Sequence, residues 1–395
     1  MKTRLNQLES SVWFYMLFLA GVLTIPLRHF IPPDCTQAVT GPFGLELVFN
    51  CDSAQFMQDS QTPERLVQAD TSYQDRPLYS MTSHYISILL GLVISGGRSF
   101  TNSSGEIIEF RFANLVAFWI IHLVTLLVAL YLLIHFLKQS PELVVVSKFA
   151  IVSLFFLNDV TKGFFWTPHT QVFSIFLIAY GLFSWQKFTC VTLSIRFKIL
   201  WFFSSSLLIF FYPILVLALV IPVLSNFRRN TIPSVLAVLP YLIYPHILRL
   251  AGGKYRNPQV EDFNQFVWVL DSEVLSLMTE NFKLYLISLS FPHVIVLVSV
   301  LALYVLAVRR KRRESFIVNE RSYIVLYGFI LSYALFLYFM GLYATRLSIP
   351  FLSLMISIMI LHISKKCSTQ IQVVASSMCL VFALVSFFFT QGTIS

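Results

Sequence analysis

The chain has 395 residues, of which 57% are hydrophobic and only 12% are charged. A soluble globular domain carries about 25% charged residues, so this chain has about half the charge that a water-facing surface needs. The high hydrophobicity excludes a disordered chain, and the long continuous apolar runs exclude an outer-membrane barrel, whose short strands alternate. The composition therefore predicts an all-α polytopic membrane protein, with residues 1–395 in one transmembrane domain.

The net charge of +9 comes from basic residues in short clusters beside apolar runs. Such clusters mark the cytoplasmic ends of membrane helices, so we predict membrane lipids and no nucleic acid as partners. The strongest cluster is Arg309–Arg313. Apolar runs bordered by basic residues are Ala113–Leu137, Thr170–Gln186, Ile199–Phe211, Pro213–Phe227, Leu284–Val308 and Leu347–Ser364.

In chain order, the first apolar run is Ser11–Pro32, which follows Lys2 and Arg4. No small-residue cleavage site follows the run, so we expect a retained signal anchor with its start in the cytoplasm. If every basic cluster is cytoplasmic, the runs alternate consistently and make about eleven crossings. The run His84–Ile94 is too short to span, so we expect an interfacial or re-entrant helix, with a short span as the alternative.

Two long connections lie on the extracytoplasmic side of this topology, residues 33–110 and 251–283. Loops beyond about 15 residues are usually functional or disordered. Because the first loop is rich in apolar residues, we expect it to be ordered, partly helical and packed on the membrane surface. It also holds the sequon Asn102–Ser104 and two cysteines, Cys35 and Cys51, which could form a disulfide in an oxidising compartment.

Asp52 and Asp59 open this loop and are seven residues apart. In a helix that spacing is about two turns, which puts both carboxylates on one face. An aspartate just beyond the first membrane helix could act as a general base or a metal ligand. The alternative is the solvated face of an amphipathic surface helix.

Arg76 stands before Pro77 in the stretch Tyr73–Tyr79. A proline disfavours helical backbone in the residue before it, so we expect Arg76 to be extended, at the mouth of the following apolar helix. A guanidinium at the membrane interface suits a phosphate, which it can hold with two hydrogen bonds. The alternative is a snorkelling anchor.

The short outer turn Asn158–His169 combines Asp159, Lys162 and His169 with aromatic residues. Lys162 departs from the rule that basic residues face the cytoplasm, which favours a ligand contact. An ion pair between Asp159 and Lys162 is the alternative.

The last polar stretch, Gly341–Pro350, carries Tyr343 and a lone Arg346 between two long apolar runs. Ionisable groups at membrane depth are costly and by default suggest function. With the three clusters before it, this stretch would supply one acid and several cations near the lipid headgroups. Such a combination suits a phosphate-bearing substrate.

These residues resemble the GT-C glycosyltransferases, and most closely the group of protein O-mannosyltransferases and lipid A aminoarabinose transferases. Asp52–Phe56 is similar to that group's Asp-x-x-x-Tyr/Phe stretch, and Asp75–Tyr79 to its Lys/Arg-Pro-Pro-Leu-Tyr segment without the second proline. Asp159 could supply the family's Asp at the outer end of an early helix. Arg346–Pro350 resembles a late Arg-x-x-x-Pro element. The sequence has a single acid where the family has an adjacent acidic pair, so use of a divalent metal stays open.

The resemblance implies an inverting hexosyltransferase that takes a sugar from a polyprenyl- or dolichyl-phosphate donor. The acceptor would be a hydroxyl of a glycan, a lipid or a protein. Asp52 would be the general base and Arg76, Lys162 and Arg346 would hold the leaving phosphate. His169 and Tyr343 would donate hydrogen bonds. The remaining substrate-binding residues expected are Asp59, Tyr79 and Asp159.

Two other functions fit the same composition. One is a transporter or flippase for a lipid or small solute, and the other is a non-catalytic subunit of a glycan-processing membrane complex. The apolar runs are almost free of charge, whereas a transport path would carry charged residues. As location we expect the bacterial inner membrane, with the endoplasmic reticulum as the alternative.

Overall fold

The computed structural model describes residues 37–40, 46–49, 51–68, 73–101, 107–140, 142–158, 164–190, 193–254, 320–339, 345–366 and 368–389, with single residues at 161, 276, 279, 302 and 305. The predicted anchor Ser11–Pro32, the basic cluster Arg309–Arg313 and most of loop 251–283 lie outside the described residues. So do the sequon and Cys35, which leaves the disulfide a prediction.

Helices dominate the described chain. Twelve α-helices are α1 (Cys51–Gln61), α2 (Arg65–Gln68), α3 (Pro77–Gly91), α4 (Phe112–Lys138), α5 (Val145–Phe156), α6 (Phe173–Cys190), α7 (Ile195–Ile209), α8 (Val220–Ser225), α9 (Phe227–Leu250), α10 (Glu320–Phe339), α11 (Thr345–Lys366) and α12 (Thr369–Phe389). Two 3₁₀ helices, Thr170–Val172 and Pro213–Leu219, precede α6 and α8.

The predicted all-α class is confirmed, and two small antiparallel hairpins add a minor β component. Strands β1 (Gln37–Thr40) and β2 (Glu46–Phe49) form the first. Strands β3 (Gly97–Thr101) and β4 (Ile107–Arg111) form the second, which leads directly into α4. The first long loop is therefore partly helical, as expected, but it also carries strands.

Two of the described helices, α4 and α9, are long and apolar enough to cross a membrane. Apolar helices of 10–17 residues also occur within α5, α10, α11 and α12. The eleven crossings stay a prediction. The run His84–Ile94 lies mostly in α3, whose 15 residues extend only about 22 Å, so α3 is shorter than the ~30 Å hydrocarbon core.

Local sequence explains several helix ends. Pro77 begins α3, where its missing N–H is no loss. The Ser194 side chain caps α7 by accepting from the Phe197 N–H at 3.2 Å. Asn226 caps α9 in the same way, accepting from the N–H of Arg229.

The core lies where α4 packs between α3 and α6. Helix α5 packs against α12 and α11, while α10 contacts α6 and α8. Large aromatic side chains fill the interior, among them Phe118 on α4 and Phe329 on α10, both fully buried. The end of this core where α1 and α3 begin carries the polar residues described next.

Candidate active site

Three separate stretches of chain meet in one polar cluster. Asp52 comes from the first turn of α1, Arg76 precedes α3, and His169 precedes the 3₁₀ turn before α6. Helices α1 and α3 pack against each other, which holds the first two together. We call Asp52, Arg76 and His169 and their hydrogen-bond partners the Asp52–Arg76 cluster.

Asp52 is held by two neighbours and remains accessible. Its Oδ2 lies 2.9 Å from Nε2 of His169, and its side chain is 38% exposed whereas that of His169 is 5% exposed. The Tyr73 hydroxyl donates a hydrogen bond to the same carboxylate. Burial and then the charge and hydrogen bond of Asp52 raise the pKa of Tyr73 above its usual value, so this hydroxyl stays a donor. The carboxylate is thus fixed in direction with a face left open.

The backbone determines which nitrogen of His169 carries the proton. Nδ1 accepts from the backbone N–H of Gln171 at 3.0 Å. A neutral imidazole that accepts at one nitrogen carries its hydrogen on the other, so Nε2–H donates to Asp52. His169 is extended, at φ −158° and ψ 142°, as a helix-capping residue should be.

Arg76 is surrounded but still has donors to offer. Its Nε donates to Asp75 Oδ2 at 3.3 Å and a terminal nitrogen donates to Thr170 Oγ1 at 2.7 Å. Its Cζ lies 5.1 Å from the ring centre of Tyr73 and 5.0 Å from that of Tyr212. Burial lowers the pKa of the guanidinium, but attraction to Asp75 and the tyrosines outweighs this and raises it. Of its five N–H groups, three have no partner among the described residues.

The backbone conformation of Arg76 differs from the expected extended one. Its φ of −124° is extended, but its ψ of 46° is that of neither a strand nor a helix. The turn before it causes the difference, because the Arg76 N–H donates to the Tyr73 carbonyl at 3.0 Å. The predicted position at the mouth of the helix is confirmed, since Arg76 is the N-cap residue of α3.

Helix α4 supports the segment that carries His169. Nδ1 of His122 lies 2.7 Å from the Phe165 carbonyl, and the Trp119 indole donates to the Trp166 carbonyl at 2.7 Å. A carbonyl only accepts, so His122 carries its hydrogen on Nδ1 and, as a neutral ring, accepts from the Tyr79 hydroxyl 2.7 Å away. Trp119 and His122 are three residues apart, so they lie on one face of α4 and can donate to two successive backbone carbonyls.

An apolar groove of about 560 Å³ lies between α3, α4, α6 and α7. Its walls include Ile86, Val124, Phe173 and Phe211, and the lining contributed by α4 runs from Ile120 to Leu132. These two residues are twelve positions apart, and at a rise of 1.5 Å per position the wall is about 18 Å long. Val124 on the rim is 53% exposed, so the groove is open along one side.

The groove borders the Asp52–Arg76 cluster. Phe211 of the groove directly precedes Tyr212, whose ring faces Arg76. Phe173 contacts Phe211, with ring centres 5.7 Å apart, and follows the 3₁₀ turn that begins with Thr170. A ligand with a polar head and a long apolar chain could occupy both.

A second cavity of about 560 Å³ lies at the other end of α1. It is polar, with Gln61, His84, Glu109, Arg111 and Asn114 in its lining. Asp52 and Gln61 are nine positions apart in α1, which is about 14 Å along the helix axis. This cavity is therefore separate from the Asp52–Arg76 cluster.

Two predicted site residues turn away from the cluster. Asp59 is fully buried and its Oδ1 lies 3.5 Å from Nε of Arg65. Tyr79 is also fully buried, with its hydroxyl on His122. The spacing of Asp52 and Asp59 does put them on one face of α1, but the two turns between them carry Asp59 past the edge of the cluster into the interior.

His169 also differs from its predicted role. We expected it to donate to a phosphate, whereas its Nε2 donates to Asp52. Asp159, Lys162 and Tyr343 lie outside the described residues, and of Arg346 only the backbone is described, in the first turn of α11. Their roles stay predictions.

Several residues of the cluster were not predicted as site residues from the sequence. Tyr73 and Asp75 lie in the same short stretch as Arg76, and Thr170 and Gln171 directly follow His169. Their nearness in sequence could have pointed to them. Tyr212 carries no such signal, since it is one aromatic among many in an apolar run.

Within the described part of the chain, no three His, Cys, Asp or Glu side chains gather in a way that could hold a metal ion. Whether the protein uses a divalent metal stays open. In comparisons with known proteins, no family model, no curated protein and no solved structure matches the chain.

Proposed function

We propose that the chain is a membrane glycosyltransferase that moves a sugar from a polyprenyl- or dolichyl-phosphate donor to an acceptor hydroxyl on the extracytoplasmic face. One observation carries this proposal. The accessible Asp52 carboxylate is fixed 2.9 Å from His169, in a cluster with Arg76 that borders the 560 Å³ apolar groove. A base, a cation and a lipid-sized groove are the three parts that such a transfer requires.

In the proposed step, the oxygen of the acceptor hydroxyl attacks the anomeric carbon of the sugar, and Asp52 takes the proton of that hydroxyl. The bond from that carbon to the phosphate oxygen breaks, and its electron pair leaves with the phosphate. A base on the face opposite the leaving group gives inversion. General-base assistance contributes about 10²–10⁴ in rate. Asp52 is suited to this because His169 and Tyr73 fix its direction while part of it stays exposed.

The leaving phosphate needs positive charge rather than a proton. Arg76 offers the three N–H groups that lack a protein partner among the described residues. Its charge is shared with Asp75, so we expect Lys162 and Arg346 to supply the rest. Preorganised charge of this kind is usually the largest catalytic contribution.

The prenyl chain would lie in the apolar groove. An 18 Å wall along α4 covers more than half of the ~30 Å hydrocarbon core, so several isoprene units fit along it. Together with the candidate spans α4 and α9, the hydropathy supports a multi-pass protein of about eleven crossings. Its location would be the bacterial inner membrane, with the endoplasmic reticulum as the alternative.

The test is transfer by the purified protein in lipid nanodiscs, with a panel of prenyl-phosphate sugars and hydroxyl acceptors. Wild type should turn over at least one donor. Asp52→Asn should lower kcat by about 10²–10⁴-fold and leave donor binding intact, because only the base is lost. Glu64→Gln is the matched control, since Glu64 is an exposed acid of the same loop.

Two results would contradict the proposal. Near-normal turnover in Asp52→Asn removes Asp52 as the base. Transbilayer movement of a lipid-linked sugar in proteoliposomes, without transfer by wild type to any acceptor, would support the flippase alternative instead.

A further inference from the structure

The Asp52–Arg76 cluster contains a buried amide without a full set of partners. Gln171 is 5% exposed, and its Oε1 accepts from the Tyr212 hydroxyl at 3.4 Å. Its Nε2 is buried and has no hydrogen-bond partner among the described residues. If the oxygen and nitrogen of this amide were exchanged, the nitrogen would lie at Tyr212 and the oxygen would be the buried atom without a hydrogen-bond partner. A buried donor without a partner costs about 1–3 kcal/mol, so such a group calls for an explanation.

An acceptor without a partner lies in the same cluster. Asp75 binds Arg76 through Oδ2, but its Oδ1 is buried and has no hydrogen-bond partner among the described residues. Arg76 connects the two groups, because it donates to Asp75 on one side and to Thr170, the neighbour of Gln171, on the other. Tyr212 connects them as well, with its ring facing Arg76 and its hydroxyl on Gln171.

The chemistry of these two atoms selects the class of ligand. A phosphate has only acceptor oxygens at neutral pH and would be repelled by Asp75, so it could satisfy Gln171 alone. A hydroxyl group both donates and accepts, so neighbouring hydroxyls on one sugar ring can satisfy both atoms. The charge agrees, because Asp75 is itself an anion, which favours a neutral part of the ligand beside it, while the phosphate of the donor lies at Arg76.

We propose that Gln171 and Asp75 bind hydroxyl groups of the sugar carried by the donor, on the side of Arg76 away from the phosphate. This inference rests on the proposed function and adds to it the site that recognises the sugar. The sugar would then lie against Arg76 with its anomeric carbon toward Asp52. The prenyl chain would extend from the phosphate into the groove.

The experiment compares two ligands that differ only in the sugar. Binding of a prenyl-phosphate hexose and of the bare prenyl phosphate is measured on the purified full chain in nanodiscs, by displacement of a radiolabelled prenyl phosphate. All variants carry Asp52→Asn, so that no turnover disturbs the measurement. Gln171→Glu keeps the acceptor for Tyr212 and loses the donor, while Asp75→Asn loses the carboxylate charge but keeps a partner for Arg76.

We expect Gln171→Glu to weaken binding of the sugar-bearing ligand by about fivefold and Asp75→Asn by about tenfold. Both substitutions also change the charge near the phosphate, which the two ligands share, so the ratio of the two affinities is compared with that of the Asp52→Asn parent, and this ratio should fall. Glu64→Gln is the control, since Glu64 is an exposed acid outside the cluster. Its preference between the two ligands should follow the parent.

Equal losses for both ligands would overturn the inference, because Gln171 and Asp75 would then act on the phosphate or on the fold. Unchanged binding of both would overturn it too. If the Asp52→Asn parent binds neither ligand, the proposed function itself fails, and this result is distinct from the other two. A thermal unfolding curve for each variant separates loss of folding from loss of binding.

Discussion

The pair formed by Asp52 and His169 illustrates how a backbone contact can control a side chain's chemistry. The Gln171 N–H occupies Nδ1 of His169 and leaves Nε2–H to donate to Asp52. His169 is then a positioning residue, which acts through Asp52 and does not touch the substrate. A positioning residue should affect kcat more than it affects the KM or the stability of the fold.

We predict that His169→Leu lowers kcat by about 10–100-fold and leaves the KM for the donor nearly unchanged, because a misdirected base slows the chemical step. His169→Gln should restore much of kcat, since the Gln Nε2 can donate in place of the imidazole. Steady-state kinetics in nanodiscs measures both values. A rise in KM with constant kcat would mean that His169 contacts the donor instead.

At the residue scale, the sequence predicted those members of the cluster that stand in a recognisable local motif. It did not predict the features that depend on how distant segments pack together. Asp52 and Arg76 stand beside recognisable motifs, and the structure brings them together. Asp59 obeys the same helical spacing, but only the position of Arg65 and the packing around α1 reveal that it is buried. No periodicity contains that information.

Among the elements, α6 and α10 make a close approach that depends on a glycine. A Cβ built on Gly181 would lie 2.7 Å from Cζ of Phe329. The Phe329 ring is fully buried, so it cannot swing aside. Small residues at such crossings let membrane helices pack tightly.

We predict that Gly181→Ala destabilises the protein by about 1–3 kcal/mol, as overpacking of a dense core does. Unfolding in mixed detergent micelles, followed by circular dichroism, measures the change. Gly91→Ala is the control, because a Cβ there meets nothing within 4 Å. Adding Phe329→Leu to Gly181→Ala should recover part of the lost stability. If it does not, the steric strain does not arise from contact with the Phe329 ring.

The groove between α3, α4, α6 and α7 carries a second prediction at this scale. Val124→Trp should fill the groove and raise the KM for a long-chain donor about tenfold, while kcat stays within about twofold. Tyr131→Trp is the control, since Tyr131 is exposed on the same helix and is not part of the groove lining. Equal effects of the two substitutions would exclude the groove as the chain-binding site.

Hydropathy predicted the longest described helix well, because α4 (Phe112–Lys138) extends the run Ala113–Leu137 by one residue at each end. It did less well at Pro213–Phe227, where the structure has a 3₁₀ helix followed by the six-residue α8. Pro222 lies in the first turn of α8, which is the position where an α-helix accepts a proline at the lowest cost. Hydrophobicity alone does not register this backbone constraint.

For the whole molecule, the topology is the prediction on which the site's location depends. Helix α4 has 27 residues and is about 40 Å long, so in the predicted topology its two ends would lie on opposite sides of a ~30 Å core. Thr62 lies beside the start of α4, at the second cavity, and Gln139 follows its end. Both residues are exposed.

In a chain with its native cysteines replaced by alanine, we predict that Thr62→Cys reacts with an impermeant maleimide from the extracytoplasmic side. Gln139→Cys should react only after the membrane is permeabilised. Labelling of intact cells, read by gel shift, tests both. The reverse pattern would invert the topology and put Asp52 on the cytoplasmic side, away from lipid-linked sugars of the outer leaflet.

The hairpins were not predicted, because strands of four or five residues in a long loop leave no periodic signal of useful length. The number of crossings follows from basic clusters such as Arg309–Arg313, outside the described residues, and therefore stays a prediction. At this scale, the sequence indicates which segments are apolar enough to be buried away from water. It does not indicate which of these segments pack against each other.

The open flank of the groove has a consequence for how the proposed enzyme is supplied. A donor that enters sideways travels within the plane of the bilayer and never crosses water. Turnover would therefore follow the mole fraction of donor among the surrounding lipids and stay constant when vesicles are diluted. The spent carrier would depart by the same lateral route, so its build-up in the leaflet would compete with fresh donor for the groove.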